Sequence, residues 1–173
     1  MTPVTVAFWG VSAVAVATAV MCITRRNPVA SALYLIGTLF CVAVLFVLLD
    51  AQFIGVLQVL VYAGAIMVVF LFVIMLLNLG RGGPADMKGP VGIAVAVLLA
   101  GGLLLQFRVL RQAAPPEAIR LPEGALVALQ RERGVVGAVA GPLFSEYVIP
   151  FEITSMLLLA ALVGAVVLAK RRL

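Results

Sequence analysis

A chain of 173 residues that is 65% hydrophobic and 11% charged, with a net charge of +5, lies far outside the composition of a soluble domain. Its mean hydropathy of +1.26 points to a multi-span membrane protein, since one helical span takes about 20 residues. The absence of histidine excludes imidazole metal ligation, a haem axial histidine, Ser–His catalysis and histidine proton relays.

Five apolar runs predict an all-α integral membrane protein with five transmembrane helices. The first covers about residues 4–24 and is followed, not preceded, by Arg25-Arg26. A cleaved leader carries its charge in front, so this run reads as a retained span. The hinge Arg25-Arg26-Asn27-Pro28 leads to a second span over about 29–49, closed by Asp50. Cys22 and Cys41 lie inside these two runs and read as small buried hydrophobes. The third span, about 53–79, has no charged residue. A Gly/Pro turn follows, from Gly80 to Pro90, without the spacing of a phosphate-cradling loop. The fourth span covers about 91–107 and the fifth about 148–169, closed by Lys170-Arg171-Arg172. Between them, 108–142 is expected to be a long outer loop with a short surface helix over 123–133. Its charges are mixed in sign. Together the 173 residues are expected to form a single membrane domain.

Basic residues at the span ends set the orientation. With the N-terminus outside and the C-terminus inside, the inner face carries Arg25, Arg26, Arg81, Lys88, Lys170, Arg171 and Arg172. The outer face carries Arg108, Arg111, Arg120, Arg131 and Arg133, all in one long loop, where the rule is weaker. This pattern marks orientation and lipid contact; no nucleic acid is expected as a partner.

Chemistry-bearing residues are few. Glu152, just after Pro150, is the one acid near a span interior. It is either a carboxylate stabilising a helix N-terminus or a proton-path or partner-pairing group. A single acid cannot form a relay across about 30 Å of hydrocarbon. On the fifth span Ala160 and Gly164, and Ala161 and Ala165, recur at four-residue spacing, which lets helix backbones approach closely. The third span is the unusual one. From Phe53 to Leu79 it has 27 residues, or about 40 Å of α-helix against a core of about 30 Å. The excess must go into tilt, protrusion or a local irregularity. Gly64 lies near its middle, and Gln58 and Tyr62 stand one turn apart. From the residues alone, Gly64 is equally a packing site or a point where the helix leaves α geometry.

The run from Gln58 through Tyr62-Ala-Gly64-Ala-Ile-Met67 and Phe70 to Asn78 resembles the signature of the subunit J family of proton-pumping NADH:quinone oxidoreductase, respiratory complex I, whose mitochondrial counterpart is NADH dehydrogenase subunit 6. Arg25-Arg26-Asn27-Pro28-Val-Ala-Ser-Ala resembles the family's first turn, and Phe151-Glu152 through Ala169 its last span. The resemblance implies a non-catalytic subunit of a translocase in a bacterial inner (plasma) membrane. The chain itself would hold no flavin, iron–sulfur cluster, quinone or metal, while the whole complex uses FMN, iron–sulfur clusters, NADH and a quinone. Implied partners are the other membrane-arm subunits, K above all and H at the quinone site, then A and the antiporter-like subunits, together with membrane lipid. It further implies a π-bulge in the third helix near Tyr62 and Gly64. Switching between π and α forms would gate a hydrated proton path, with Met67, Val68 and Phe70 as the apolar plug that a rotation moves. Two other readings are a purely structural subunit that seals the membrane arm and an independent small transporter. The near absence of intramembrane charge and of inverted repeats argues against the second.

Overall fold

The structure, a computed structural model, describes residues 2–77, 90–112, 122 and 124–170. Among these residues there are only helices, joined by turns. The Gly/Pro connection at 80–90 up to its last residue, the third span beyond Leu77 and the basic residues after Lys170 lie outside the described residues.

Local signals at each start explain the first two helices. Helix α1, Pro3–Thr24, follows Thr2, whose side chain accepts from the Thr5 N–H, and opens on proline. Proline costs nothing there, because its missing N–H would have had no partner. Helix α2, Pro28–Leu48, repeats the device. Asn27 Oδ1 accepts from Val29 N at 2.9 Å and Ala30 N at 3.4 Å.

The end of α2 is a Schellman turn. Ala51 N–H donates to Phe46 O at 2.9 Å and Asp50 N–H to Val47 O at 3.2 Å. Asp50 takes the left-handed position, with φ 60°. Aspartate tolerates that region better than most side chains. The turn sends the chain straight back along α2 as α3, Gln52–Leu76.

Three helices pack through small residues and hydroxyls. Thr38 on α2 donates to Thr18 Oγ1 on α1 at 3.0 Å. The Ser31 hydroxyl donates to the Cys22 carbonyl. Gly55 is buried where α3 leaves the turn, and a Cβ there would stand 3.0 Å from both Ala43 O and Val47 Cγ2. The buried core is Ala32, Met67 and Ile74, flanked by Val29, Ile36, Leu39 and Leu71. It lies between α2 and α3.

The chain divides into two compact units, Met1–Pro122 and Glu123–Leu173. In the first, α4, Pro90–Gln112, touches none of the unit's other helices. The second holds α5, Ala125–Ser145, and α6, Val148–Ala169. Gly134 breaks α5 at φ 75°, ψ 163°, a conformation that is essentially glycine-only. Beyond the break Arg133 folds back over the next turns, and Cβ atoms added at Gly137 and Gly141 would lie 3.3 Å from Arg133 Cβ and 3.2 Å from its Nη1. The rings of Phe144 and Phe151 meet edge-on at 5.0 Å across the turn into α6.

Five helices are long and apolar enough to cross a membrane: α1, α2, α3, residues 92–112 of α4, and α6. Two expectations change. The fourth helix continues to Gln112 instead of ending near 107. Arginine is a good helix former with a long stem, so Arg108 and Arg111 do not stop it. The stretch expected as an outer loop, 108–142, contains most of α5 as well as the end of α4.

Candidate functional site

Inside α3 the nine residues Gln58–Ile66 form a π-helix between two α-helical pieces, Gln52–Leu57 and Met67–Leu76. The entry is still α-like, since Gln58 N–H reaches Ile54 O and Gly55 O, four and three residues back. At the exit Met67 N–H bonds Tyr62 O, five residues back. The expected break from α geometry in the third helix is therefore present, at the expected place.

Gly64 lies within the widened segment. A Cβ on it would lie 3.2 Å from the Val59 carbonyl oxygen, five residues earlier. Any side chain must push that carbonyl by a few tenths of an ångström. Returning to α spacing at the end of a π segment leaves one carbonyl without an intrahelical partner. Within a bilayer such a group needs another chain or water.

The π segment separates two faces. Ala63, Met67 and Ile74 are buried, and Met67 and Ile74 pack with Ala32 of α2. Tyr62 is 53% exposed, and Val68 and Phe70 are about equally open at 46% and 47%. Of the residues expected as a plug, Met67 thus points into the bundle while Val68 and Phe70 point away. The Tyr62 hydroxyl has no hydrogen-bond partner among the described residues. A phenol placed in hydrocarbon needs a partner for that hydroxyl.

The other expected residues lie on α6. Glu152 is exposed and falls beyond the first turn, which contains no acidic residue. The helix starts at Val148, ahead of Pro150, so Glu152 stands past the point where a helix dipole acts strongly. Its carbonyl accepts from Ser155 Oγ at 2.7 Å. Ala160, Ala161 and Ala165 are exposed and Gly164 is half-buried. A Cβ on Gly164 would meet nothing within 4 Å. Within its unit α6 contacts only α5. The described residues contain no group of three or more His, Cys, Asp or Glu able to hold a metal ion.

Gly55 was not singled out from the sequence. Its importance depends on which helix returns beside it. The tight turn at Asp50 was the available signal, because a hairpin that short brings two helix axes together at its first turn.

Five helices long and apolar enough to cross a membrane, the third interrupted by an uncharged π segment, give the chain the architecture of a multi-pass membrane protein. It belongs to the NADH-ubiquinone/plastoquinone oxidoreductase chain 6 family, whose profile matches residues 18–168. It is 37% identical over 168 residues to NADH-quinone oxidoreductase subunit J of Pseudomonas aeruginosa, covering 92% of each chain. It is 38% identical to the Escherichia coli subunit J, covering 92% of this chain and 83% of that one. With subunit J of the F420H2 dehydrogenase of Methanosarcina mazei it shares 35% identity, over 88% of this chain and 82% of the relative.

Proposed function

We propose that this chain is a non-catalytic membrane-arm subunit of a bacterial proton-pumping NADH:quinone oxidoreductase, and that its third helix couples quinone reduction to proton translocation by switching between π and α forms. The observation that carries this reading is the π segment Gln58–Ile66 within a 25-residue span. A π turn is less stable than an α turn and leaves a backbone carbonyl open, so it persists where it serves a function. In the π form that carbonyl and the Tyr62 hydroxyl offer water two polar anchors at membrane depth. On regularising, the register of everything after the segment turns. Met67 then leaves the α2 face, and an outward residue takes its place.

The relatives' names support a role away from electron entry. They differ in the donor that they name, NADH in one case and F420H2 in another. A subunit shared by both machines serves what they have in common. The chain is proposed to lie N-terminus outside and C-terminus inside in the inner membrane. Its outward α3 face would meet subunit K, and the α6 face with Gly164 another membrane-arm helix.

The test is the third helix in the intact complex, imaged at rest and during turnover. We expect i→i−5 bonds over 58–66 in one population and i→i−4 bonds in the other. One unchanged helix in every state would leave this chain as a passive seal.

A further inference from the structure

The turn between α1 and α2 opens on two adjacent exposed arginines, Arg25 and Arg26. Arg25 is held. Its guanidinium carbon lies 5.3 Å from the centroid of the Tyr34 ring, and its Nη2 donates to the Tyr34 hydroxyl at 3.3 Å. A second, weaker contact runs from Nη2 to Met21 Sδ at 3.7 Å. Tyr34 stands in the second turn of α2, half-buried, so its ring forms a fixed shelf beneath the planar fork.

This arrangement leaves most of the five guanidinium donors unused. Neither arginine pairs with a carboxylate among the described residues. Ordering a long side chain loses rotamer entropy, and here no counter-charge within the described chain offsets that loss. The two residues are the first beyond two apolar spans, Pro3–Thr24 and Pro28–Leu48. That is the depth at which bilayer phosphates lie. A planar, pre-set fork matches a phosphate bidentately, and a neighbouring cation adds to the pull.

We propose that Arg25 and Arg26 form a seat for the phosphate of an anionic phospholipid headgroup, with Tyr34 as the positioning residue that aims the Arg25 fork. The site is independent of the π segment. Its lipid would fasten the α1–α2 hairpin to the leaflet.

The test uses the whole complex in phosphatidylcholine vesicles doped with a photoactivatable phosphatidylglycerol. We expect labelling within residues 21–34, displaced by unlabelled phosphatidylglycerol but not by inorganic phosphate. Arg25→Gln with Arg26→Gln should weaken binding there about 30-fold, at roughly a factor of five per arginine. Tyr34→Phe keeps the ring and loses the hydroxyl contact, so it should weaken binding about 2–5-fold. If the double variant does not assemble, Arg26→Gln and Tyr34→Phe alone must each reduce labelling. Labelling unchanged in those variants, equal labelling by a phosphatidylcholine probe, or a carboxylate of a neighbouring chain bonded to Arg25 in the assembled complex would overturn the proposal.

Discussion

Replacing Gly64 by alanine isolates the cost of the π geometry. In the π form the added Cβ stands 3.2 Å from the Val59 carbonyl oxygen. In a regular α-helix the Gly64 N–H would bond the Leu60 carbonyl, and a Cβ is accommodated at every position. The substitution therefore penalises one form and spares the other. Relieving so short a contact takes a shift of a few tenths of an ångström, at the low end of overpacking costs, about 1–2 kcal/mol. That changes the π:α ratio by about 5–30-fold toward α. Gly64→Val adds a β-branched side chain and should shift it further. The assay is twofold, on the assembled complex. Imaging counts the fraction of particles with the i→i−5 pattern at 58–66, and enzymology compares quinone-coupled turnover and proton pumping with NADH oxidation by an artificial acceptor. Pumping and coupled turnover should fall together, while the artificial-acceptor rate holds. A Gly64→Ala enzyme that keeps the π segment at its original occupancy would refute the steric reasoning. One that is fully α yet pumps normally would refute the gating role.

Gly55→Ala should destabilise the α2–α3 hairpin by about 1–3 kcal/mol, because its Cβ would meet Ala43 O and Val47 Cγ2 at 3.0 Å. Gly37→Ala, with Thr18 Cγ2 at an ordinary 3.7 Å, should be near neutral; thermal melts of the complex compare the two. Thr38→Val removes the hydroxyl that reaches Thr18 and should cost about 0.6 kcal/mol, a typical interhelical bond in a membrane, read as a small loss of thermal stability. Gly164→Leu fills space that is empty within this chain, so a fall in assembled complex on native gels would reveal a neighbouring helix there, and unchanged levels would place lipid there instead. Glu152→Gln should keep most pumping in intact complexes; a collapse of pumping with assembly preserved would make it a proton carrier.

Span existence was legible in the sequence because membrane helices announce themselves by apolar length. The fifth span matches its expected bounds, Val148–Ala169. Helix ends were harder where charge stood in for a stop. Arg108 looked like a boundary, yet its side chain can reach the interface while the helix runs on to Gln112. Helix α5 was only half legible. Its first part has the mixed charges of a surface helix, whereas Gly134, Gly137, Gly141 and Pro142 make the second part look like a loop. Only Gly134 breaks the helix, since a glycine's effect depends on the backbone angles its neighbours impose. The π segment was foreshadowed by an overlong uncharged span, but the residues alone left Gly64 ambiguous between packing and irregularity. The structure adds one close approach there, 3.2 Å from a Cβ on Gly64 to Val59 O.

The isolation of α4 and α6 bears on how the protein is made. Each is long and apolar enough to cross a membrane, and neither packs against another spanning helix of its own unit. Such helices enter a bilayer independently, because their backbone bonds are satisfied internally. Within its own unit α4 then has no helix to hold it, and α6 has only α5. The first unit of a newly synthesised copy is therefore a three-helix nucleus with one further span awaiting neighbours. Surplus copies made without those neighbours stay unfinished and fall to membrane proteases. The cell must consequently match its synthesis to that of the chains it joins, and its steady-state level will report the scarcest of them.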